Sequence, residues 1–337
     1  MTGGDRRPER RRPRASTAAA RRGRRPWGRP AAAAALALLG ACADADAPSA
    51  GAPSDSAGYT MAPLGDTDVW VADLVERGDS LALMEPRNVT RRAGYDNQPA
   101  FLPNERGLLY TAVDEAGQAD TWHWDPASDS VRPVTRTAPE SEYSPTPLPG
   151  GDGFSAIRVE ADSTQRLWRF AMDGSGARPV LEDVAPVGYH AWFDAGRLAL
   201  FVLGEPPTLR IADAATGAAR VVAEDIGRSL NPIPGRQRAV SWIQREGEGA
   251  SRVMAWDLDA DRAEPLTPAP DGGDYHAWTP AGTLLMASGS RLLAWREGWE
   301  GWRTVADLEG RGLLLSRLAV SPDGRRLAFV AERAPGA

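Results

Sequence analysis

The tetrad Tyr-His-Ala-Trp occurs twice, at Tyr189–Trp192 and Tyr275–Trp278, and it holds two of the chain's three histidines. An imidazole can ligate a metal, move a proton or contact a ligand, so chemistry is sought here first. Protein zinc sites take three or four side-chain ligands, so His190 and His276 alone make at most half a metal site. As ligand contacts they would line a concave mouth, with Tyr189 and Tyr275 at its rim. The third reading is a packing solution copied with a repeat, with Trp192 and Trp278 in the core. His123 belongs to a different element and does not join them.

Other chemistry is sparse. There is no Gly-x-Ser-x-Gly elbow, no His-Glu-x-x-His and no glycine-rich phosphate loop. Asp257–Asp261 and Asp271–Asp274 lack the ligand spacing of a calcium loop and read as hairpin turns. Cys42 is the single cysteine, so disulfides within the chain are excluded. No catalytic residue and no cofactor is assigned.

The tetrads sit inside a longer repeat. Strand–turn–strand units run over 98–113, 144–159, 189–202, 230–243, 275–287 and 317–330. A second element recurs between them: Asp120–Asp125, Gln165–Phe170, Thr208–Asp213, Arg252–Asp257 and Arg291–Arg296, each followed by a polar turn and a short apolar stretch. Short strands at a period of 40-odd residues predict a β-propeller; a helical solenoid would show a 3.6-residue period instead. Each repeat supplies four strands, a to d, and six blades are expected. The last unit ends after its strand b. Residues 68–73 and 81–84 match the missing strands c and d, so the two ends should complete one blade, with Leu327–Ala331 pairing with Asp68–Asp73.

Strand-a approaches carry polar groups. Tyr143, Arg228, Arg317 and Asn97 join Tyr189, His190, Tyr275 and His276 as candidate channel-mouth residues. Tyrosine and arginine at a concave mouth suit peptide or loop recognition.

The repeat resembles that of TolB-type propellers, in which a Ser-Pro-Asp-Gly turn leads into an apolar strand and then a strand ending in Trp or Tyr and Asp. Ser321-Pro322-Asp323-Gly324 matches in full. Phe193-Asp194-Ala195-Gly196 and Thr279-Pro280-Ala281-Gly282 are degraded copies, and Leu102-Pro103-Asn104-Glu105 is weaker. The resemblance covers about residues 67–333. It implies the fold and a role in the cell envelope, as a scaffold or partner-binding module or as a propeller attached to an enzyme.

The amino-terminal segment reads as a targeting signal. An arginine-rich stretch to Arg29 precedes an apolar run, Ala31–Leu39, and Leu39-Gly40-Ala41-Cys42 follows. These four residues resemble a bacterial lipobox, which implies cleavage before Cys42 and lipid on that residue. The expected organisation is a lipoprotein signal over 1–41, a flexible tether with lipidated Cys42 over 42–66, and the propeller over 67–335.

After Cys42 the chain holds 28 Arg against 43 Asp and Glu, a formal net charge of −15. Such a surface argues against nucleic acid or an anionic lipid face as the partner of the folded part. The expectation is an exported monomer, lipid-anchored in the bacterial envelope as a periplasmic or outer-membrane lipoprotein. It would bind an envelope protein or peptide and catalyse nothing. The alternative is a propeller lyase or hydrolase acting on a sugar or lactone, with a channel metal at His190 and His276.

Overall fold

The computed structural model describes residues 65–103 and 106–334. The signal, Cys42 and most of the tether lie outside the described residues. Asp66 is already engaged, since its Oδ1 accepts a hydrogen bond from Gly94 N at 2.7 Å.

The described residues form 24 strands in six four-stranded antiparallel sheets. The chain opens with β1 (Asp68–Arg77) and β2 (Ser80–Asn88). Blade 1 is β3 (Asp96–Phe101), β4 (Leu108–Val113), β5 (Ala119–Asp125) and β6 (Ser130–Pro133). Blade 2 is β7 (Ser141–Pro147), β8 (Phe154–Val159), β9 (Gln165–Phe170) and β10 (Arg178–Pro179). Blade 3 is β11 (Val187–Trp192), β12 (Arg197–Val202), β13 (Thr208–Asp213) and β14 (Ala219–Glu224). Blade 4 is β15 (Ile226–Pro232), β16 (Ala239–Arg245), β17 (Ser251–Asp257) and β18 (Arg262–Pro268). Blade 5 is β19 (His276–Trp278), β20 (Leu284–Ser288), β21 (Arg291–Trp295) and β22 (Arg303–Asp307).

Blade 6 closes the ring as expected. β23 (Leu313–Val320) and β24 (Arg326–Arg333) are joined by β1 and β2, in the order β2-β1-β24-β23. Asp68 pairs with Ala331 and Ala72 with Leu327. Arg296 of blade 5 reinforces the seam: it pairs with Glu76 and donates to the Gly78 carbonyl at 2.8 Å.

The core lies between blades rather than at one centre. On β12, Leu198 and Leu200 face blade 2, while Ala199 and Phe201 face blade 4. On β24, Leu327 and Phe329 face blade 5 and Ala328 faces blade 1. A two-residue period therefore serves two interfaces at once, and the second strand of each blade is largely apolar. Each Leu or Phe among them, fully buried, contributes about 1.5–3 kcal/mol.

The turn at Ser321–Gly324 shows why its residues are needed. Ser321 Oγ donates to Asp323 Oδ1 at 2.5 Å, and Gly324 N donates to the Ser321 carbonyl at 2.8 Å. Gly324 has φ 74°, a left-handed conformation that glycine adopts without steric cost.

Candidate functional site

The innermost strand of most blades carries one irregularity. Pairing shifts between Asn97 and Ala100, Tyr143 and Thr146, Val187 and Tyr189, Ile226 and Leu230, and Ser316 and Leu318. Gln98, Ser144 and Arg317 sit in these shifts with positive φ, at 59°, 54° and 29°. A bulge adds a residue, bends the strand and re-aims the side chain, and strain of this kind collects at functional positions.

The re-aimed side chains line a cavity of about 600 Å³ along the central channel. Gln98, Ser144, Tyr189, Arg228, Tyr275 and Arg317 all border it, one from each of the six blades. Its other end reaches the turns after the innermost strands, at Pro103, Pro149 and Pro234. Tyr189 and Tyr275 therefore stand at the inner end, and not at the rim expected for them. They belong to the strands that build the wall, whereas the rim is built from turns.

Arg317 dominates that inner end. Its Nη2 donates to the Tyr189 hydroxyl at 2.8 Å, and its guanidinium lies 5.0 Å from the centre of the Tyr189 ring and 4.6 Å from that of Tyr275. These contacts join blade 6 to blades 3 and 5 across the channel. Tyr95 shares the neighbourhood: burial raises its hydroxyl pKa well above the usual value, and the positive charge of Arg317 pulls it part of the way back. The hydroxyl stays neutral and keeps its proton for donation.

Each tetrad histidine is fastened to the preceding blade. His190 Nε2 lies 2.7 Å from Ser155 Oγ, and Trp192 Nε1 donates to the same oxygen at 2.9 Å. His276 Nε2 lies 2.7 Å from Ser241 Oγ, and Trp278 Nε1 donates to that oxygen at 2.8 Å. Each serine hydroxyl in turn donates to its own blade's innermost strand, Ser155 to the Thr146 carbonyl at 3.3 Å and Ser241 to the Asn231 carbonyl at 3.1 Å.

Each serine oxygen thus accepts the indole N–H and contacts Nε2, while Nδ1 is left buried without a partner in both histidines. Burial lowers both imidazole pKa values to about 3. A general base for serine needs a free Nε2 lone pair and a carboxylate or carbonyl on Nδ1–H. Nδ1 has no such partner in either pair, and the Ser–His contact at 2.7 Å joins neighbouring blades. Among the described residues no three His, Cys, Asp or Glu side chains gather as a cation site.

No family model matches the chain, and no curated protein matches it by sequence. Solved structures do. A putative TolB from Agrobacterium tumefaciens is 13% identical, with a TM-score of 0.62 over 79% of this chain and 97% of that one. TolB from Acinetobacter baumannii is 14% identical, with a TM-score of 0.52 over 80% of this chain and 65% of that one. The fold is TolB-like. XC5397 from Xanthomonas campestris, a gluconolactonase, is 12% identical, with a TM-score of 0.55 over 80% of this chain and 98% of that one. At 12–14% identity the likeness is one of fold alone. The chain spans 65% of the Acinetobacter TolB, less than two thirds of it.

Within the TolB-like propeller, six of the eight candidate mouth residues border the cavity: Tyr189, His190, Arg228, Tyr275, His276 and Arg317. Asn97 and Tyr143 stand off the wall. Asn97 is buried, donating through Nδ2 to Thr67 Oγ1 at 3.3 Å and accepting from Gln98 N at 2.9 Å. Tyr143 packs against the core between blades 2 and 3. The bulge moves the wall position on by one, to Gln98 and Ser144. Sequence reading also passed over Ser155 and Ser241. Their signal is the offset: each lies 35 residues before its tetrad histidine, in the second strand of the preceding blade.

Proposed function

We propose that this TolB-like propeller is an envelope-anchored binding module. It takes a peptide or loop of another envelope protein into the channel mouth and performs no catalysis. The observation that carries the reading is the cavity of about 600 Å³ walled by Gln98, Ser144, Tyr189, Arg228, Tyr275 and Arg317. Amide, hydroxyl, aromatic and guanidinium groups converge there without an assembled acid–base pair, which is the character of a recognition site. The volume suits a chain end or a loop rather than a folded surface. The lipobox resemblance at Leu39–Cys42 supports an anchored, exported protein, and the net negative charge supports a partner other than nucleic acid.

The lyase or hydrolase reading has less support. It required a metal between His190 and His276, and both Nε2 atoms are engaged by serines of two different blades.

A photo-crosslinking amino acid placed at Pro147, on the cavity wall, tests the binding reading in envelope preparations. The same group at Val221, exposed on β14, is the control. Discrete adducts from position 147 and none from position 221 are expected. Identical adduct patterns at both positions would rule out the channel mouth as the binding site.

A further inference from the structure

Arg317 differs from the other arginines that the fold buries or half-buries beside its innermost strands. Arg158 has Glu142, with Nε to Oε1 at 2.9 Å, and Arg92 has Asp96, with Nη2 to Oδ1 at 2.7 Å. Arg317 has tyrosines only: one hydroxyl and two ring faces. Among the described residues no carboxylate neutralises it. A guanidinium carries five N–H donors in a planar fork, and among the described residues one hydrogen bond, to Tyr189, engages it here. An incompletely solvated cation without a counter-ion is costly, and the φ of 29° at a bulky residue adds strain. A fold that has supplied carboxylates to Arg158 and Arg92 leaves this position to be neutralised from outside.

We propose that Arg317 receives a carboxylate at the inner end of the channel; on the peptide-binding reading above, that group is the C-terminus of the bound peptide. The fork matches two carboxylate oxygens in the bidentate geometry that arginine favours. The Tyr189 hydroxyl, 2.8 Å from Nη2, stands beside the fork as a further hydrogen-bonding group for the same anion. The cavity is open at the Pro103, Pro149 and Pro234 turns and reaches Arg317 along the innermost strands, so a chain end can enter tip first. Side chains of the last few residues would then lie against Tyr275, Trp278 and Phe101 on the wall. Net charge argues in the same direction. An acidic surface does not draw in acidic proteins at long range, so the half-buried Arg317 reads one local carboxylate.

The test uses the full chain and two pools of N-acetylated tetrapeptides of randomised sequence, one with free C-termini and one amidated. Retention on the protein is read by ultrafiltration and mass spectrometry. Acids should be retained about tenfold better than amides by the wild type. Arg317→Gln should abolish the difference and Arg317→Lys should keep part of it. If acids and amides are retained alike, the carboxylate proposal fails and the peptide-binding reading stands. If neither pool is retained but acetate raises the melting temperature of wild type and not of Arg317→Gln, carboxylate recognition stands and the peptide reading fails. Phosphate acting through Arg317 while acetate is inert overturns the proposal, as does no effect from any probe. Should Arg317→Gln fail to fold, the acid and amide pools on wild-type protein decide the matter without a variant.

Discussion

Ser241 Oγ and His276 Nε2 lie 2.7 Å apart across the boundary between blades 4 and 5, and Ser155 and His190 repeat that contact at the same distance between blades 2 and 3. Each serine oxygen accepts an indole N–H and contacts an imidazole nitrogen, so its loss leaves both groups without a partner in an apolar interface. Unsatisfied buried donors cost about 1–3 kcal/mol each. Ser155→Ala and Ser241→Ala are therefore each expected to lower stability by about 2–4 kcal/mol in urea denaturation. The sites sit at different interblade seams and share no partner, so the double variant should be additive to within about 0.5 kcal/mol. A cost near zero for either serine would mean that the indole and imidazole find other acceptors.

The same histidines set an acid limit on stability. Burial lowers both from 6.5 to about 3, so the folded chain holds them neutral over a range where the unfolded chain protonates them. Between those values the unfolded state binds more protons, so stability falls as pH drops from 6.5 toward 3. At pH 5 the loss is about 2 kcal/mol per histidine. Asp96 acts in the opposite sense: burial raises it to about 6 against the pull of Arg92, so its contribution grows as pH falls below that value. Glu142 and Asp120, raised by burial, act in the same sense as Asp96, so the comparison of wild type with a histidine variant isolates the imidazole contribution. Between pH 7 and pH 5, urea midpoints should therefore fall much further for wild type than for a His190→Gln, His276→Gln double variant. Parallel pH profiles for the two proteins would show that the imidazoles do not control the transition.

Cys42 lies outside the described residues, and its role is tested by fractionation alone. Cys42→Ser removes the thiol that the lipobox reading requires for lipid attachment. A single acyl chain gives only marginal membrane binding, and a multiply acylated cysteine gives stable anchoring. The wild-type protein should sediment with membranes and incorporate labelled palmitate, and the variant should appear in the soluble fraction without label. Membrane retention of unlabelled Cys42→Ser would remove the lipid anchor from the account.

How far the sequence could be read follows from what each feature looks like in one dimension. The blades were legible because strand b alternates between two apolar interfaces, as Leu198 and Ala199 do, and because turns such as Ser321–Gly324 need specific residues. The channel wall was one residue out at Gln98 and Ser144, because a bulge inserts a residue without a compositional mark. Ser155 and Ser241 looked like gaps in apolar strands. Their role depends on an imidazole of the next blade, which no local window contains. Strand lengths were less legible. β1 runs on to Arg77 beyond Asp73, and β10 is only Arg178–Pro179, where Pro179 has no N–H to give to a ladder.

Ring closure gives the sharpest test of the fold. Ala72 pairs with Leu327 although they belong to opposite ends of the described chain, and Leu74 N donates to the Arg325 carbonyl at 2.7 Å. Without β1, one side of β24 would be an open edge, and the face shared by Leu327 and Phe329 would lose Ala72 and Leu74. Closure over so long a loop costs entropy that the seam must offset through β1, β2 and the Arg296–Glu76 pair. A chain starting at Gly65 is expected to melt within about 2 °C of one starting at Cys42, on the sequence expectation that residues 42–66 are a tether. A chain starting at Asp79 is expected to lose cooperative unfolding and to aggregate, because five blades cannot cover the sixth half-blade. Supplying residues 65–90 as a separate peptide should restore a cooperative transition. If the chain starting at Asp79 melts like the longer one, the seam between the termini does not hold the ring.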